Sequence, residues 1–387
     1  MHTPPPPPHG GGPHPHQPWA QQMPPGAPPP AWPPAPPPAS PRHSRVRLWI
    51  LGGITVVAVI AVTVAVTLAL TDTSTSTAGA PTSSTGTPTT SEPAPADTYG
   101  LASADDTTAA TIITEEPTCT QWGSIVEKLV QDLYNGWNRR DKTGSRDRSR
   151  DQWTPEERAQ YDQVAQALRR AADEAVAPAK QTPHRIIREL YEQFIAYARA
   201  YSDAIANYTP HDEPLAGVMN SAAQAIIDIC SAITNKTAAA RVILIEPGEP
   251  PTEFEALHDP ADSKPFMPEP DPVCSEWDAL GDRLEQSPVV QAWGQLGGDI
   301  PASHWTPEQR DIHLAAAQFL DEFADQIEQA ARRSDNPVLQ DLAILSAQYR
   351  RAYAAAMPTY VLADSYLEAV GAEIFSLIWE ACHAAEK

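Results

Sequence analysis

The strongest constraint on the fold of this chain is an internal repeat. The residues Trp153–Arg158 (WTPEER) recur as Trp305–Arg310 (WTPEQR), at an offset of 305 − 153 = 152 residues. From these motifs to the closing cysteines the two copies align without a gap, so that Cys230 meets Cys382. A match of this length predicts an internal duplication, and both copies are expected to share one fold. The two repeats span residues 118–232 and 274–384.

Each repeat has the composition and spacing of α-helices. Alanine, glutamine, glutamate, arginine and leucine dominate, and apolar residues recur three and four positions apart. The pattern predicts four helices in each repeat, joined by loops of modest length. The predicted bounds are 119–139, 154–178, 184–208 and 214–232 in repeat 1, and 274–296, 306–333, 337–357 and 359–384 in repeat 2.

The repeated tryptophan motif marks the start of the second helix in each repeat. Thr154 and Thr306 are placed to cap the helix, and a proline follows in the first helical position, where its missing N–H is not needed. Glu157 and Gln309 are spaced to close a capping box with these threonines. These structural roles explain the polar residues of the motif without a binding function.

Four cysteines bracket the repeats, one at the start and one at the end of each. In an up-down-up-down four-helix bundle, the start of the first helix and the end of the fourth lie at the same end. The cysteines therefore predict the disulfides Cys119–Cys230 and Cys274–Cys382, which form in an oxidising compartment outside the cytoplasm. The predicted fold class is all-α, with two tandem disulfide-closed four-helix bundles behind a single transmembrane helix.

The predicted transmembrane helix is the uncharged run Leu48–Leu70, which is 23 residues long. At about 1.5 Å of rise per residue it crosses a hydrocarbon core of about 30 Å, and a single span must be helical because lipid offers its backbone no partner. The alternative is a cleaved signal peptide, although the run and the residues before it are longer than such peptides use. Ala61, Ala65 and Ala69 form a small-residue stripe on which two such helices could pack.

The charges flanking this run predict its orientation. Arg42, Arg45 and Arg47 precede it and the next basic residue is Lys128, so the N-terminus is expected in the cytoplasm. All 49 acidic residues follow the run, and with 27 − 3 = 24 lysines and arginines the C-terminal part carries 24 − 49 = −25. Such an acidic ectodomain argues against binding to nucleic acid or to anionic lipid. The predicted location is the plasma membrane, with the ectodomain outside the cytoplasm.

Three other segments are predicted to lie outside the bundles. Residues 1–47 are proline-rich without acidic residues, which favours a disordered arm that is either a docking ligand for a cytoplasmic partner or a spacer. Residues 71–117, rich in threonine, serine and proline, are predicted to form an extended stalk. Residues 233–273 are predicted to be an acidic, proline-rich connector, in which Val242–Ile245 is either a brief strand or a plug against a bundle.

No motif in the sequence supports an enzyme, a cofactor site or a metal site. Two Glu-x-x-His sequences, Glu255–His258 and Glu380–His383, lack the partners that a di-iron bundle requires. The main polar constellation is a tyrosine stripe that begins on the third helix of each repeat. Its members are core residues in the structural interpretation and contacts for a ligand or partner in the functional one. They are Tyr197, Tyr201 and Tyr208 in repeat 1, and Tyr349, Tyr353 and Tyr360 in repeat 2.

The plan of residues 1–117 resembles that of proline-rich single-pass envelope proteins of actinobacteria, of the mycobacterial type. The shared features are the Pro/His/Gly-rich arm, one span, a Thr/Ser/Pro stalk and a cysteine-bracketed ectodomain after it. The 21 arginines against 6 lysines are typical of a GC-rich genome. The resemblance implies a location in the cell envelope and nothing about mechanism.

Two functional hypotheses follow from the sequence. In the first, the chain is a non-enzymatic, membrane-anchored envelope protein whose ectodomain binds another envelope protein or the cell wall. In the second, one bundle carries or senses a lipid-like small molecule. The first hypothesis expects closed helical cores, whereas the second requires an apolar pocket.

Overall fold

The computed structural model describes residues 98–387 apart from Asn135, Gly297 and Lys387. The predicted proline-rich arm, the predicted transmembrane helix and the first part of the predicted stalk lie outside the described residues. Within the described residues the chain forms α-helices and 3-10 helices without a β-strand, which confirms the all-α prediction.

The α-helices of the described residues are numbered here in chain order. They are α1 (Cys119–Leu133), α2 (Arg140–Thr143), α3 (Pro155–Gln181), α4 (Arg185–Ala204), α5 (Glu213–Thr234), α6 (Thr237–Arg241), α7 (Cys274–Gln286), α8 (Pro288–Gly294), α9 (Pro307–Ala331), α10 (Pro337–Ala356) and α11 (Ser365–Ala385). The 3-10 helices lie at Trp137–Arg139, Ser145–Asp147, Arg150–Gln152, Ile205–Asn207, Pro210–Asp212, Val242–Leu244, Pro260–Asp262, Ala302–His304, Met357–Thr359 and Leu362–Asp364.

The three long helices of the second half begin 152 residues after those of the first. The starts of α9, α10 and α11 are offset in this way from those of α3, α4 and α5, and α10 also ends at the same offset from α4. Two residues that are 152 positions apart are called counterparts below.

The predicted capping boxes form at the starts of α3 and α9. The N–H of Glu157 donates to the Thr154 hydroxyl at 3.2 Å, and its carboxylate accepts from the Thr154 N–H at 2.8 Å. Gln309 and Thr306 make the same two bonds at 3.2 and 2.9 Å. Each box gives partners to two N–H groups that a helix start would otherwise leave unpaired.

Both predicted disulfides are present. Cys119 at the start of α1 bonds to Cys230 near the end of α5, and Cys274 at the start of α7 bonds to Cys382 near the end of α11. The Cα–Cα distance is 5.5 Å in each pair. Each bridge therefore joins the first and last long helices of its half, as the cysteine positions predict.

The first helix of each half is shorter than predicted. α1 ends at Leu133, and the chain turns at Gly136, whose φ of 117° is left-handed and favours glycine. In the second half the predicted helix 274–296 is interrupted after Gln286, because Pro288 has no N–H to continue the ladder and starts α8 instead. The prediction of one continuous helix was wrong at both places.

The last part of the predicted stalk is folded, and residues 101–118 are called the first arm. Leu101, Ile112 and Ile113 are buried against the helices, and the N–H of Ile113 donates to the hydroxyl of Tyr349 at 3.2 Å. The stalk prediction was wrong for these residues. Its basis was the average composition of a long stretch, which concealed three large apolar side chains whose burial stabilises the fold.

The predicted connector is also ordered in large part, and its residues 256–273 are called the second arm. α5 continues to Thr234 and α6 follows after two residues, whereas Val242–Leu244 forms a 3-10 turn rather than a strand. Val242 and Ile245 pack on the core, whereas the two residues between them are exposed.

The two arms are attached to the helices in matching ways. In the first arm Glu116 accepts a hydrogen bond from the Thr182 hydroxyl at 2.7 Å, and in the second arm Asp271 accepts one from the Ser334 hydroxyl at 2.6 Å. Thr182 and Ser334 are counterparts, so each arm is attached to its own half at the same place.

Each arm then reaches the opposite half. The first arm contacts Tyr349 of α10 through Ile113, and the second arm contacts Gln193 of α4, whose side-chain oxygen accepts from the N–H of Phe266 at 2.9 Å. The two halves are consequently joined by both arms as well as by their helices.

The centre of the core is the contact between α5 and α11. Gly217 of α5 lies directly against the Glu380 side chain of α11, and Gly371 of α11 lies against Arg350 of α10, so that a Cβ at either glycine would force the neighbouring side chain to move. One stretch of the described residues, Pro210–Thr234, is apolar and long enough to cross a membrane, and 72% of its most apolar window is buried inside the structure. That burial is typical of a core helix.

We expect the disulfides to contribute strongly to stability. Their sequence separations of 111 and 108 residues correspond to about 4–5 kcal/mol each when loop entropy alone is counted. The variant Cys119→Ser with Cys230→Ser should therefore unfold at a lower urea concentration, as followed by circular dichroism. Peptide mapping without reductant should recover the same two pairs, and a crossed pairing would contradict this fold.

Candidate functional site

A surface groove lies between α9 and α10, and residues 244–249 form its edge. We call it the α9–α10 groove. Its cavity has a volume of about 680 Å³. Its lining combines alanines with charged side chains. Those used below are Asp321, Glu328 and Arg332 of α9, and Arg351, Ala354 and Ala355 of α10.

Two arginines at this groove share one carboxylate. Arg351 donates to Glu328 at 2.6 Å and to Asp325 at 2.7 Å, while Arg332 donates to Glu328 at 2.8 Å and to Glu249 at 2.8 Å. Burial lowers the pKa of Arg351, but the bonds to Asp325 and Glu328 outweigh this effect and hold it above its usual value. Both guanidinium groups are therefore charged and already engaged within the protein.

The groove nevertheless carries an excess of negative charge. Four carboxylates line it, from Glu246, Glu249, Asp321 and Glu328, against two arginines, which gives 2 − 4 = −2. Asp321 is exposed and forms no ion pair with any residue that the structure describes. A positive group entering the groove would therefore find a free carboxylate.

A salt bridge crosses the counterpart surface between α3 and α4. Arg169, which is the counterpart of Asp321, donates to the carbonyl of Ser202 at 3.1 Å and to the carboxylate of Asp203 at 2.8 Å. The counterparts of Ser202 and Asp203 are both alanines. The second half thus lacks the arginine and the carboxylate that form this salt bridge in the first half.

The second arm covers another part of the α3–α4 surface. Lys180 donates to Asp259 at 2.9 Å, and Arg199 donates to the carbonyl of Ala261. The counterparts of Lys180 and Arg199 are the two groove arginines. Lys180 and Arg332 therefore each bind a carboxylate of the connector, whereas Arg199 binds the second arm and its counterpart Arg351 binds carboxylates of α9.

Exposed apolar side chains continue from this groove, and we call them the apolar patch. They come from two loops that the ion pair between Arg241 and Asp364 joins at 2.8 Å. Exposed apolar clusters of this kind mark interaction surfaces. The patch consists of Ile243, Leu244, Val361 and Leu362, exposed by 82%, 45%, 47% and 50%.

The six tyrosines of the predicted stripe all lie in the core, each 4% exposed or less. They are Tyr197, Tyr201, Tyr208, Tyr349, Tyr353 and Tyr360. The hydroxyls of Tyr201 and Tyr208 donate to the same oxygen of Glu213, at 3.0 and 3.1 Å. The groove and the stripe are separate features, because none of the six is among the lining residues of the groove.

The two Glu-x-x-His sequences are far from forming a common site. His258 lies 3.7 Å from Glu192, and His383 lies 3.7 Å from Asp278. Within the described part of the chain, no three or more His, Cys, Asp or Glu side chains are grouped so that they could hold a metal ion.

A buried charge cluster joins the halves where α4 meets α10. The guanidinium of Arg185 donates to Asp341 at 2.9 and 2.8 Å, and both side chains are almost fully buried. It also donates to the carbonyls of Asp106 and Thr108 in the first arm, at 3.0 and 3.3 Å. One arginine therefore holds the arm and both halves together, and its donors are used within the protein.

Glu189 belongs to the same cluster and is the counterpart of Asp341. Its burial and the negative charge of Asp341 hold the pKa of its carboxyl well above the usual range, although Arg185 and Arg188 oppose this shift. Two counterpart acids thus meet at the interface, where Arg185 donates two hydrogen bonds to Asp341 and lies 3.7 Å from Glu189. We treat this cluster as structural, because Arg185 and Asp341 join the two halves and are buried away from solvent.

The groove residues were not identified from the sequence. The available signal was the comparison of the repeats, which align at Arg169 and Asp321 and again at Asp203 and Ala355. Where one repeat has an ion pair and the other repeat has neither partner, the two surfaces differ, and the surface without the pair is a candidate binding site.

Comparison with known proteins places the chain in a family. The family model described as mycobacterial ESX-1 associated protein matches residues 101–386. The chain belongs to this family. An uncharacterised protein of Mycolicibacterium smegmatis (strain MKD8) is 40% identical over 374 residues, which cover 97% of this chain and 92% of that protein. No solved structure matches the chain.

This ESX-1 associated family confirms the actinobacterial assignment that the resemblance implied. The matched region begins at the first residue of the first arm and ends one residue after α11, so it includes both halves and the groove. Membrane anchoring through Leu48–Leu70 remains a prediction.

We expect the Arg185–Asp341 pair to show the energetics of a buried ion pair. Arg185→Met leaves the carboxylate of Asp341 buried without its partner and should cost about 3–5 kcal/mol of unfolding free energy. The double variant Arg185→Met with Asp341→Leu should recover much of this loss. Urea unfolding measures both effects, and Lys128→Met at the exposed pair with Glu174 should cost less than about 1 kcal/mol. Equal costs for Arg185→Met and Lys128→Met would contradict the buried pairing.

Two carboxyl groups of α11 lie in the interface with α5 and have raised pKa values. Burial raises the pKa of Glu373 to about 7, and the hydrogen bond with Ser221 opposes this shift. Burial, and then the negative charge of Glu213, raises the pKa of Glu380 to about 8, while Arg146 opposes it. Both groups bind a proton in the folded protein at a pH where the unfolded chain releases it.

We therefore expect the unfolding free energy to fall from pH 5 to pH 8. With raised folded-state pKa values, the stabilisation is complete below the ordinary value of 4.5 and is lost as the pH rises through about 7 and 8. Glu373→Gln and Glu380→Gln mimic the protonated form and should each reduce this fall by about 1–3 kcal/mol. Urea unfolding across this range measures the slope, with Glu308→Gln at the exposed start of α9 as the control. If the unfolding free energy of the glutamine variants fell more steeply with pH than that of the wild type, the expected direction of the pH dependence would be wrong.

Proposed function

We propose that the chain is a non-enzymatic, membrane-anchored protein of the mycobacterial cell envelope, whose helical ectodomain binds a protein partner in ESX-1-associated secretion. The family supports the link to secretion. The membrane anchor is the predicted helix Leu48–Leu70, with the N-terminus in the cytoplasm. The two disulfides support an oxidising location for the described residues.

The observation that carries the binding role is the α9–α10 groove. It is concave and continuous with exposed apolar side chains, whereas its counterpart surface in the first half is occupied by the protein itself. Interfaces between proteins combine an apolar centre with polar groups at the edge, and the groove with its patch has this composition.

We also infer that the two halves arose by duplication of one four-helix unit. The matching starts of the long helices, the matching disulfides and the matching arm attachments support this inference. Duplication matters for function because it allows one half to keep the original surface while the other changes.

The composition of the groove favours a protein partner over a lipid-like ligand. Sites for small apolar molecules are lined mainly by hydrophobic and aromatic side chains with few polar groups. The α9–α10 groove instead carries four carboxylates and two arginines among its fifteen lining residues. The carrier hypothesis therefore ranks second.

We expect deletion of the gene from its mycobacterium to lower the amount of ESX-1-dependent proteins in the culture filtrate, as measured by quantitative mass spectrometry. The wild-type chain should restore secretion. The variant Cys119→Ser with Cys230→Ser should restore less, because loss of a long-loop disulfide removes about 4–5 kcal/mol of stability. An epitope after α11 should be reached by antibody on intact cells. Unchanged secretion in the deletion strain would overturn the proposal.

A further inference from the structure

In the first half, an arginine of the protein itself is bound at a place where the second half has no such side chain. On the α3–α4 surface, the guanidinium of Arg169 lies across the helices and donates to the Ser202 carbonyl and to the Asp203 carboxylate. In the α9–α10 groove the carbonyl acceptor is retained at Ala354, because it belongs to the backbone. The arginine itself is replaced by Asp321.

We propose that the α9–α10 groove binds a basic segment of a partner protein, with an arginine or lysine of that segment in the place that Arg169 occupies in the first half. This rests on the proposed function and names the chemistry of the partner. The incoming cation is bound by the carboxylate of Asp321 and by the carbonyl of Ala354. Because Ala355 stands where the first half has the larger Asp203, the groove has room for it.

Charge complementarity favours this occupant. The groove lining carries −2, and the whole chain carries −22. A basic partner is attracted at long range and oriented on approach, which raises the association rate. A second copy of this chain would bring a like charge of −22, so self-association through this groove is opposed. The chain's own basic residues Arg42–Arg47 are predicted on the other side of the membrane.

The apolar patch defines the rest of the partner segment. Leu244 belongs both to the patch and to the groove lining, so apolar side chains bound at the patch lie next to the bound cation. The counterparts of Val361 and Leu362 are Thr209 and Pro210, and the first half therefore lacks the aliphatic pair at this end. The partner segment is amphipathic, with a basic residue beside aliphatic ones.

The test uses the full-length chain in detergent and two short fluorescent helical peptides. One peptide has leucines on one face and arginines on the other, and the second has glutamate at every arginine position. Fluorescence anisotropy should show binding of the arginine peptide and no binding of the glutamate peptide. The affinity should fall with increasing salt, because exposed charges are screened.

The decisive variant rebuilds the salt bridge of the first half inside the groove. Asp321→Arg with Ala355→Asp should weaken binding of the arginine peptide by about tenfold or more, since the free carboxylate is lost and the space is filled. The matched control is Asp311→Arg with Ala315→Asp. It makes the same residue changes and the same change in net charge nearer the start of α9, outside the groove lining, and should bind like wild type.

The wild-type chain provides a second measurement that does not depend on any variant folding correctly. A photoreactive version of the arginine peptide should crosslink to peptides that contain residues 244–249, α9 or α10. Crosslinks concentrated on the first half would overturn the proposal.

Three further results would also overturn it. The first is equal weakening of peptide binding by the decisive variant and by its control, which indicates diffuse charge attraction. The second is the absence of arginine-peptide binding. The third is a dimer in sedimentation that the decisive variant abolishes, which assigns the groove to a second copy. Failure of the proposed function can be distinguished from failure of this inference. Normal secretion in the deletion strain would overturn the role in secretion, whereas peptide binding to the groove could still be measured with the purified chain.

Discussion

The packing of α5 against α11 is the contact on which the rest of the structure depends. These helices are the counterparts that end the two halves, and they meet so that Ser221 bonds to its own counterpart, Glu373. Glu189 likewise approaches its own counterpart, Asp341. Burial at these contacts explains why the pKa values of the Glu189 and Glu373 carboxyls are raised.

Much of this fold could be predicted from the sequence, because local rules and the repeat point to the same answer. Thr154 and Thr306 cap their helices because capping depends on residues within one turn. The cysteine pairs were predictable because a bundle of four helices brings its two ends together. Comparison of the copies removed the ambiguity that four cysteines otherwise leave.

The predictions failed where distant parts of the chain decide the structure. Ile112 and Ile113 are ordered because they pack on helices that follow them in sequence, and a composition average over the stalk cannot show this. The α9–α10 groove was missed for a related reason, since Asp321 and Ala355 are ordinary helix residues when considered singly. Only comparison with their counterparts Arg169 and Asp203 shows that this surface differs between the two halves.

The crossing of the arms has a consequence for the history of the protein. If the halves arose from one unit, as we infer, the contact that Ile113 makes with Tyr349 of the opposite half could form in that ancestor only between two molecules. Fusion of two such units into one chain would replace that pairing by a covalent connection, so the contact would no longer depend on protein concentration. It would also let the two halves diverge, because a substitution would then alter one surface instead of two. The replacement of Arg169 and Asp203 by Asp321 and Ala355 is a difference of this kind.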